Sequence, residues 1–148
     1  MNFEYFIVIK MEAIMKLIFC IDDKKGLMFF GKRQSQDSVL RKWIINHTIG
    51  KRLWMSQYSA QQFKDLSGFI VDDDYENKAT SGDYCFIEDK GYSLDGVSEI
   101  ILCHWNRRYQ ADKIFDIDLK GNGFKKVDSV NIQGSSHEKI TIETYRKG

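Results

Sequence analysis

The side chains with chemistry to offer stand at the breaks between apolar runs. Asp22 and Gly26 follow the run 17–21 (LIFCI), and Ser56 and Ser59 follow the run 53–55 (LWM). In α/β sheets, ligands bind beyond the carboxyl ends of parallel strands, so these four positions mark a place for a ligand. Asp37 opens a helical stretch. A carboxylate there serves as a helix cap. Arg41, one turn further on, suits an anionic or flat polar group. A second constellation is His104, Trp105, Asn106, Arg107, Arg108 and Tyr109. Mixed aromatic and basic residues hold single-stranded RNA by stacking and phosphate pairing, with Lys113, Lys125 and Lys126 able to extend the patch. An ordinary charged hairpin has the same composition. His47, His104 and His137 are candidates for general acid–base work, as in metal-free ribonucleases, though their spacing forms no local motif. Of the three, His104 follows a buried run near the expected cleft. The triple Asp72-Asp73-Asp74 lacks the glycine and distal glutamate of a calcium loop and reads as a cap. There is no zinc motif, phosphate loop or nucleophile elbow, so no metal is expected.

The elements that must position these groups follow from periodicity. The run 17–21 suits a buried strand. Lys24, Lys25, Gly26 and Gly31 interrupt the chain as a glycine loop. Ser35, Gln36 and Asp37 offer capping oxygens. Val39, Leu40, Trp43 and Ile44 then recur at helical spacing until Gly50. The run 53–55 is a second strand, and 56–59 turns into a helix reaching Phe63. Two strands joined through a helix predict a parallel pair with a right-handed crossover. Residues 69–71 predict a short strand, and 72–78 a brief helix with acids at its positive end. Residues 83–87, 100–103, 114–119, 124–130 and 140–145 predict further strands, joined mostly as hairpins. The expectation is one α/β domain in three layers, with a mainly parallel central sheet and an antiparallel C-terminal edge.

Composition is that of a soluble globular protein. The 148 residues suffice for one domain with a real core. The formal net charge of +1 recruits neither nucleic acid nor an anionic membrane by a global field. Proline is absent, so Gly, Asn, Asp and Ser must make every turn. Three cysteines, Cys20, Cys85 and Cys103, lie in apolar runs without paired spacing. They read as small core residues in a reducing cytoplasm rather than a disulfide framework. The apolar run 5–9 is too short to span a bilayer and has no basic leader before it. Met11 and Met15 are both plausible starts, so residues 1–14 read as an extra segment, an edge strand or disordered, ahead of a domain at 15–148.

The order of elements over residues 16–146 resembles the dihydrofolate reductase family. Gly26-Leu27 stands where that family has a Gly-Ile-Gly-like loop, and Asp37 where its carboxylate starts the first helix. Leu53-Trp54-Met55 stands at its Met-Gly-Arg strand, and Ser59 at the hydroxyl opening the next helix. Leu102-Cys103-His104-Trp105 looks like its late strand, and Tyr145-Arg146 like its finish. The resemblance implies a dihydrofolate-reductase-like sheet and a cleft for a small heterocyclic or nucleotide-like ligand. Asp37 would be the catalytic anchor, with Arg41, Trp43, Tyr58 and Cys103 around the ligand. NADPH would be the cofactor, lying near Gly26, Ser56 and Ser59. The departures fall on that cofactor. Glu88-Asp89 replaces a Gly-Gly pair and would repel phosphate, Gln57 replaces a basic residue, and the segment 63–83 is short. The leading expectation is therefore a divergent, ligand-binding member with weakened NADPH-dependent reduction. The alternatives are an RNA-binding or RNA-processing module using residues 104–109, and a non-enzymatic partner-binding domain.

Overall fold

Strand β1 (Met15–Ile21) is buried on both faces, and the rest of the chain is layered around it. The computed structural model describes residues 15–148. The expected extra segment 1–14 lies outside the described residues. Beside β1 run β6 (Tyr84–Phe86) and β7 (Val97–His104), both parallel to it. Outside β6 lies β4 (Leu53–Met55), and outside that β5 (Ile70–Val71), again parallel. On the other side β10 (Ile140–Lys147) pairs antiparallel with β7, and β9 (Phe124–Ile132) forms the edge. The order is β5-β4-β6-β1-β7-β10-β9. This is a single α/β domain with a mainly parallel sheet and an antiparallel edge. The two strands of the expected crossover are parallel, but β6 inserts between them. Likewise β6 and β7 flank β1 in parallel and make no hairpin.

Alternation along the strands sends side chains to two cores. Leu17, Phe19, Ile21, Ile100 and Leu102 pack on one face with Phe115, Phe124 and Tyr75. Ile18, Ile101, Cys103, Ile140 and Ile142 pack on the other with Leu40 and Ile44. Those last two belong to α1 (Ser38–His47), which covers the second face. The first face is covered in part by a small sheet of β2 (Gly26–Phe29), β3 (Lys32–Arg33) and β8 (Lys113–Ile114), through Leu27 and Met28. This sheet occupies the stretch expected to be a plain glycine loop. Phe30 and Gly31 turn it with φ of +49° and +71°, the backbone of a two-residue hairpin. The expected strand 114–119 reduces to Lys113–Ile114. Beyond it Phe115, Ile117 and Leu119 alternate into the first core without a ladder partner.

The remaining helices are short, α2 (Gln57–Gln62) and α3 (Tyr75–Lys78). The triple Asp precedes α3, but Asp74 at its N-cap makes no side-chain cap bond. Asp72 instead accepts from the Asp74 N–H and Lys78, and Asp73 from the Gln57 N–H. Among the described residues no helix is long and apolar enough to cross a membrane.

Candidate functional site

The carboxyl ends of β1, β4 and β6 meet where a ligand was expected, and the chain's own side chains fill the space. Arg33, from β3, lays its guanidinium over the Tyr58 ring, 4.3 Å from the centroid. It pairs with Glu88 in a two-pronged bond, Nε to Oε2 at 3.0 Å and Nη2 to Oε1 at 3.1 Å. Ser59 Oγ donates to the same Glu88 at 2.8 Å, and Ser56 Oγ donates to Asp89 at 2.6 Å. What remains between Cys20, Leu27, Arg33, Glu88 and Trp105 is a slot of about 10 Å³, about enough for one water.

The chain's own groups already occupy the helix start that a phosphate would approach. Ser56 caps α2 by accepting from the Ser59 N–H, and the Gln57 N–H is already given to Asp73. A helix N-terminus that would greet a phosphate thus meets Asp73, Asp89 and Glu88, three carboxylates in its place. Gly26 also serves the chain itself. A Cβ there would meet Gln34 Nε2 at 2.5 Å, Ala111 Cβ at 2.7 Å and Asp22 Oδ2 at 2.9 Å. Asp22 is buried and accepts from the N–H groups of Lys24, Gly26 and Tyr109 and from the Gln34 amide. Burial pushes its carboxyl up, but those four donors outweigh it and hold it below its ordinary value.

Asp37 is likewise enclosed. Its Oδ1 accepts from the N–H groups of Val39, Leu40 and Ser135. Its Oδ2 accepts from the Ser136 N–H, Ser136 Oγ and His137 Nδ1, at 2.9, 3.2 and 3.0 Å. Burial opposes ionisation, yet these donors hold the carboxyl well below the usual carboxylate range. Six donors leave no lone pair for a heterocycle, so the expected ligand anchor is a cap joined to the loop 134–137. Gly134 permits this: a Cβ there would lie 2.4 Å from Asp37 Oδ2.

His137 completes the enclosure. Its Nδ1 faces a carboxylate that only accepts, so Nδ1 carries the proton and Nε2 accepts. Ser35 Oγ and Tyr109 OH each lie 3.1 Å from Nε2. The ring stacks on Trp105, centroids 4.6 Å apart.

Other expected site residues are dispersed. Arg41 reaches Gln36 on the surface at 3.3 Å, and Trp43 stacks on His47 at 4.5 Å. Cys103 is buried beside Cys20 in the β1–β7 register, both as free thiols. Tyr58 does line the filled cleft. The stretch 104–109 presents no single stacking face. Trp105 is buried, His104 points to the opposite side of the sheet, and Tyr109 is engaged by His137. Among the described residues no cluster of His, Cys, Asp and Glu is arranged to hold a metal.

An open cavity lies on the first face, against the ends of β1 and β7. It measures about 300 Å³. Ile21, Leu102, Phe115, Leu119 and Tyr145 form its apolar floor. Asp23, Lys25, Asp118 and His104 supply its polar groups. His104 Nε2 pairs with Glu143 Oε1, which also accepts from the Tyr145 hydroxyl, while Lys126 Nζ pairs with Glu143 Oε2. Burial pushes the Glu143 carboxyl up, but Lys126, His104 and Tyr145 outweigh it and hold it down. Leu102 and His104 face the cavity because the period of two puts both on the first face. The residues that reasoning from sequence missed here, Phe115 to Leu119, carried only an apolar alternation.

No protein-family model matches the chain, and no curated protein matches it. Among solved structures it is similar to a dihydrofolate reductase from Enterococcus faecalis, complexed with NADP(H) and RAB-propyl. The TM-score is 0.64 over 91% of this chain and 96% of that one, at 14% sequence identity. The fold is thus dihydrofolate-reductase-like.

Proposed function

We propose that this chain is a divergent protein of dihydrofolate-reductase-like fold that binds a small, flat heterocyclic or nucleotide-like ligand without a dinucleotide partner. One observation carries the reading: the cavity against β1 and β7 has an apolar floor, a few convergent polar groups and room for one or two rings. That combination is how small-molecule sites are built, and the place is where α/β sheets bind ligands. His104, oriented by Glu143, is the polar anchor, with Asp23, Lys25 and Asp118 at the rim. Asp37, Cys103, Tyr58, Gly26, Ser56 and Ser59 support the walls of the neighbouring cleft and do not touch the ligand. Three free thiols fit a reducing compartment, and the cytoplasm is the proposed location.

The test is a thermal melt with pterins, purine and pyrimidine nucleosides, NADH and NADPH. Binding at a hundred times Kd stabilises by about 2.7 kcal/mol, which moves the midpoint of a chain this size by roughly 5–11 °C. The expected result is a shift with a single-ring or two-ring heterocycle that His104→Ala abolishes. A shift with NADPH and none with any heterocycle overturns the reading.

A further inference from the structure

Ser35, His137 and Asp37 are connected in series through the two nitrogens of the His137 ring. Ser35 Oγ is 3.1 Å from His137 Nε2, and His137 Nδ1 is 3.0 Å from Asp37 Oδ2. We infer that they form a nucleophile–base–carboxylate relay that makes Ser35 Oγ reactive toward small, neutral carboxylic esters.

The three roles follow from the geometry. The buried Asp37 carboxylate fixes the tautomer that leaves Nε2 free to take a proton, and Trp105 fixes the plane of the ring. This is the arrangement by which a weak hydroxyl nucleophile is activated, and it is recognised by geometry rather than by position in sequence. Ser35 is partly exposed and lines the narrow slot with Leu27, Ile87 and Trp105. The slot has room for about one water and not for an acyl group, so an ester reaches Ser35 from its exposed side. A second observation lies in the same slot. Gln34 Oε1 is buried and has no hydrogen-bond donor, so the O–H of a water or an alcohol has an acceptor waiting there.

The reaction balances without a co-reactant. Ser35 Oγ bonds to the ester carbonyl carbon while its proton passes to His137 Nε2. The carbonyl–alkoxide bond breaks, and that proton leaves with the alcohol. Water then attacks the acyl-serine, giving a proton to Nε2. The carboxylic acid departs, and the proton returns to Ser35 Oγ.

The experiment uses the full chain with p-nitrophenyl acetate, followed by release of p-nitrophenol, and with diisopropyl fluorophosphate, followed by intact mass and peptide mapping. The expected result is one adduct per chain, on Ser35, and ester turnover lost in Ser35→Ala, which removes a single partly exposed hydroxyl. A positioned general base contributes on the order of 10²–10⁴-fold, so His137→Gln should slow acylation at least about 100-fold. Because His137 is buried, Tyr109→Phe serves as a second variant. It removes the hydroxyl competing for Nε2, and the rate should hold or rise. No adduct, an adduct on another residue, His137→Gln reacting like the parent, or a tenfold loss in Tyr109→Phe would each overturn the relay.

Discussion

Replacing Asp37 by Asn tests how much of the domain rests on one carboxylate. Asn is as good a cap as Asp, so the bonds from Val39 and Leu40 to Oδ1 survive. The loss falls on Oδ2, where an NH₂ group would face the Ser136 N–H, Ser136 Oγ and His137 Nδ1. The Ser136 hydroxyl has an alternative in the Gln36 carbonyl at 3.0 Å. His137 can move its proton to Nε2 and accept from the amide. The Ser136 N–H has no such alternative within the protein, but it is only partly buried. Orphaning it therefore costs less than the roughly 1–3 kcal/mol of a fully buried donor, and weakening the charge-assisted bonds adds to it. The expected cost is about 1–3 kcal/mol at pH 7, or roughly 2–12 °C in Tm. The dependence on pH has a definite sign. The folded-state value is depressed, so ionised Asp37 stabilises the fold above the unfolded value near 3.9, and that contribution fades as pH falls below it. Urea unfolding of both proteins from pH 7 to pH 3 should therefore show the gap narrowing below about pH 4. An Asn variant within about 0.5 kcal/mol of the parent at pH 7, a difference no larger than a neutral surface substitution gives, would refute the reasoning. So would a gap that stays constant down to pH 3.

Glu88→Ala strands the Arg33 guanidinium in a largely enclosed site and should cost about 2–4 kcal/mol, read from the urea midpoint; removing one partner of a buried pair is what makes this large. Gly26→Ala drives a Cβ into Gln34, Ala111 and Asp22, and a loss of at least about 1–3 kcal/mol is expected from that overpacking. Adding NADPH should leave the parent's melting temperature unchanged, because Glu88, Asp89 and Asp73 already hold the donors a phosphate would use. Glu143→Gln should weaken the fold more at pH 7 than at pH 3, since the Glu143 carboxyl is depressed and its contribution disappears as it protonates.

Some of this was legible in the residues. Helix α1 was readable because Asp37 caps it and Leu40 and Ile44 keep a 3.6-residue period, and the centre of β7 because Ile100 to Cys103 form an unbroken apolar run. The β2–β3 hairpin was not, because Phe30 takes a left-handed backbone conformation where Asn or Gly is the usual signal. The alternation at Phe115, Ile117 and Leu119 looked like a strand, but burial on one side gives the same pattern without a ladder. Asp37 was visible as a cap. Its second set of donors, at 135–137, is separated by about a hundred residues, and no local spacing announces it. Arg33 and Glu88 illustrate the same limit: each is an ordinary surface residue by type, and the fold alone brings them together.

The bond between Asp37 and His137 spans 100 positions of chain. Pairing of β1 with β6 and β7 and of β7 with β10 shortens the effective loop between these points, so we expect this junction to close late, after those strands have condensed. Interactions absent from the transition state slow escape from the native state and leave its rate of formation almost untouched. The loop 134–137 therefore acts as a latch on the lifetime of the fold. Loosening it should steepen loss by unfolding and proteolysis while the refolding rate holds.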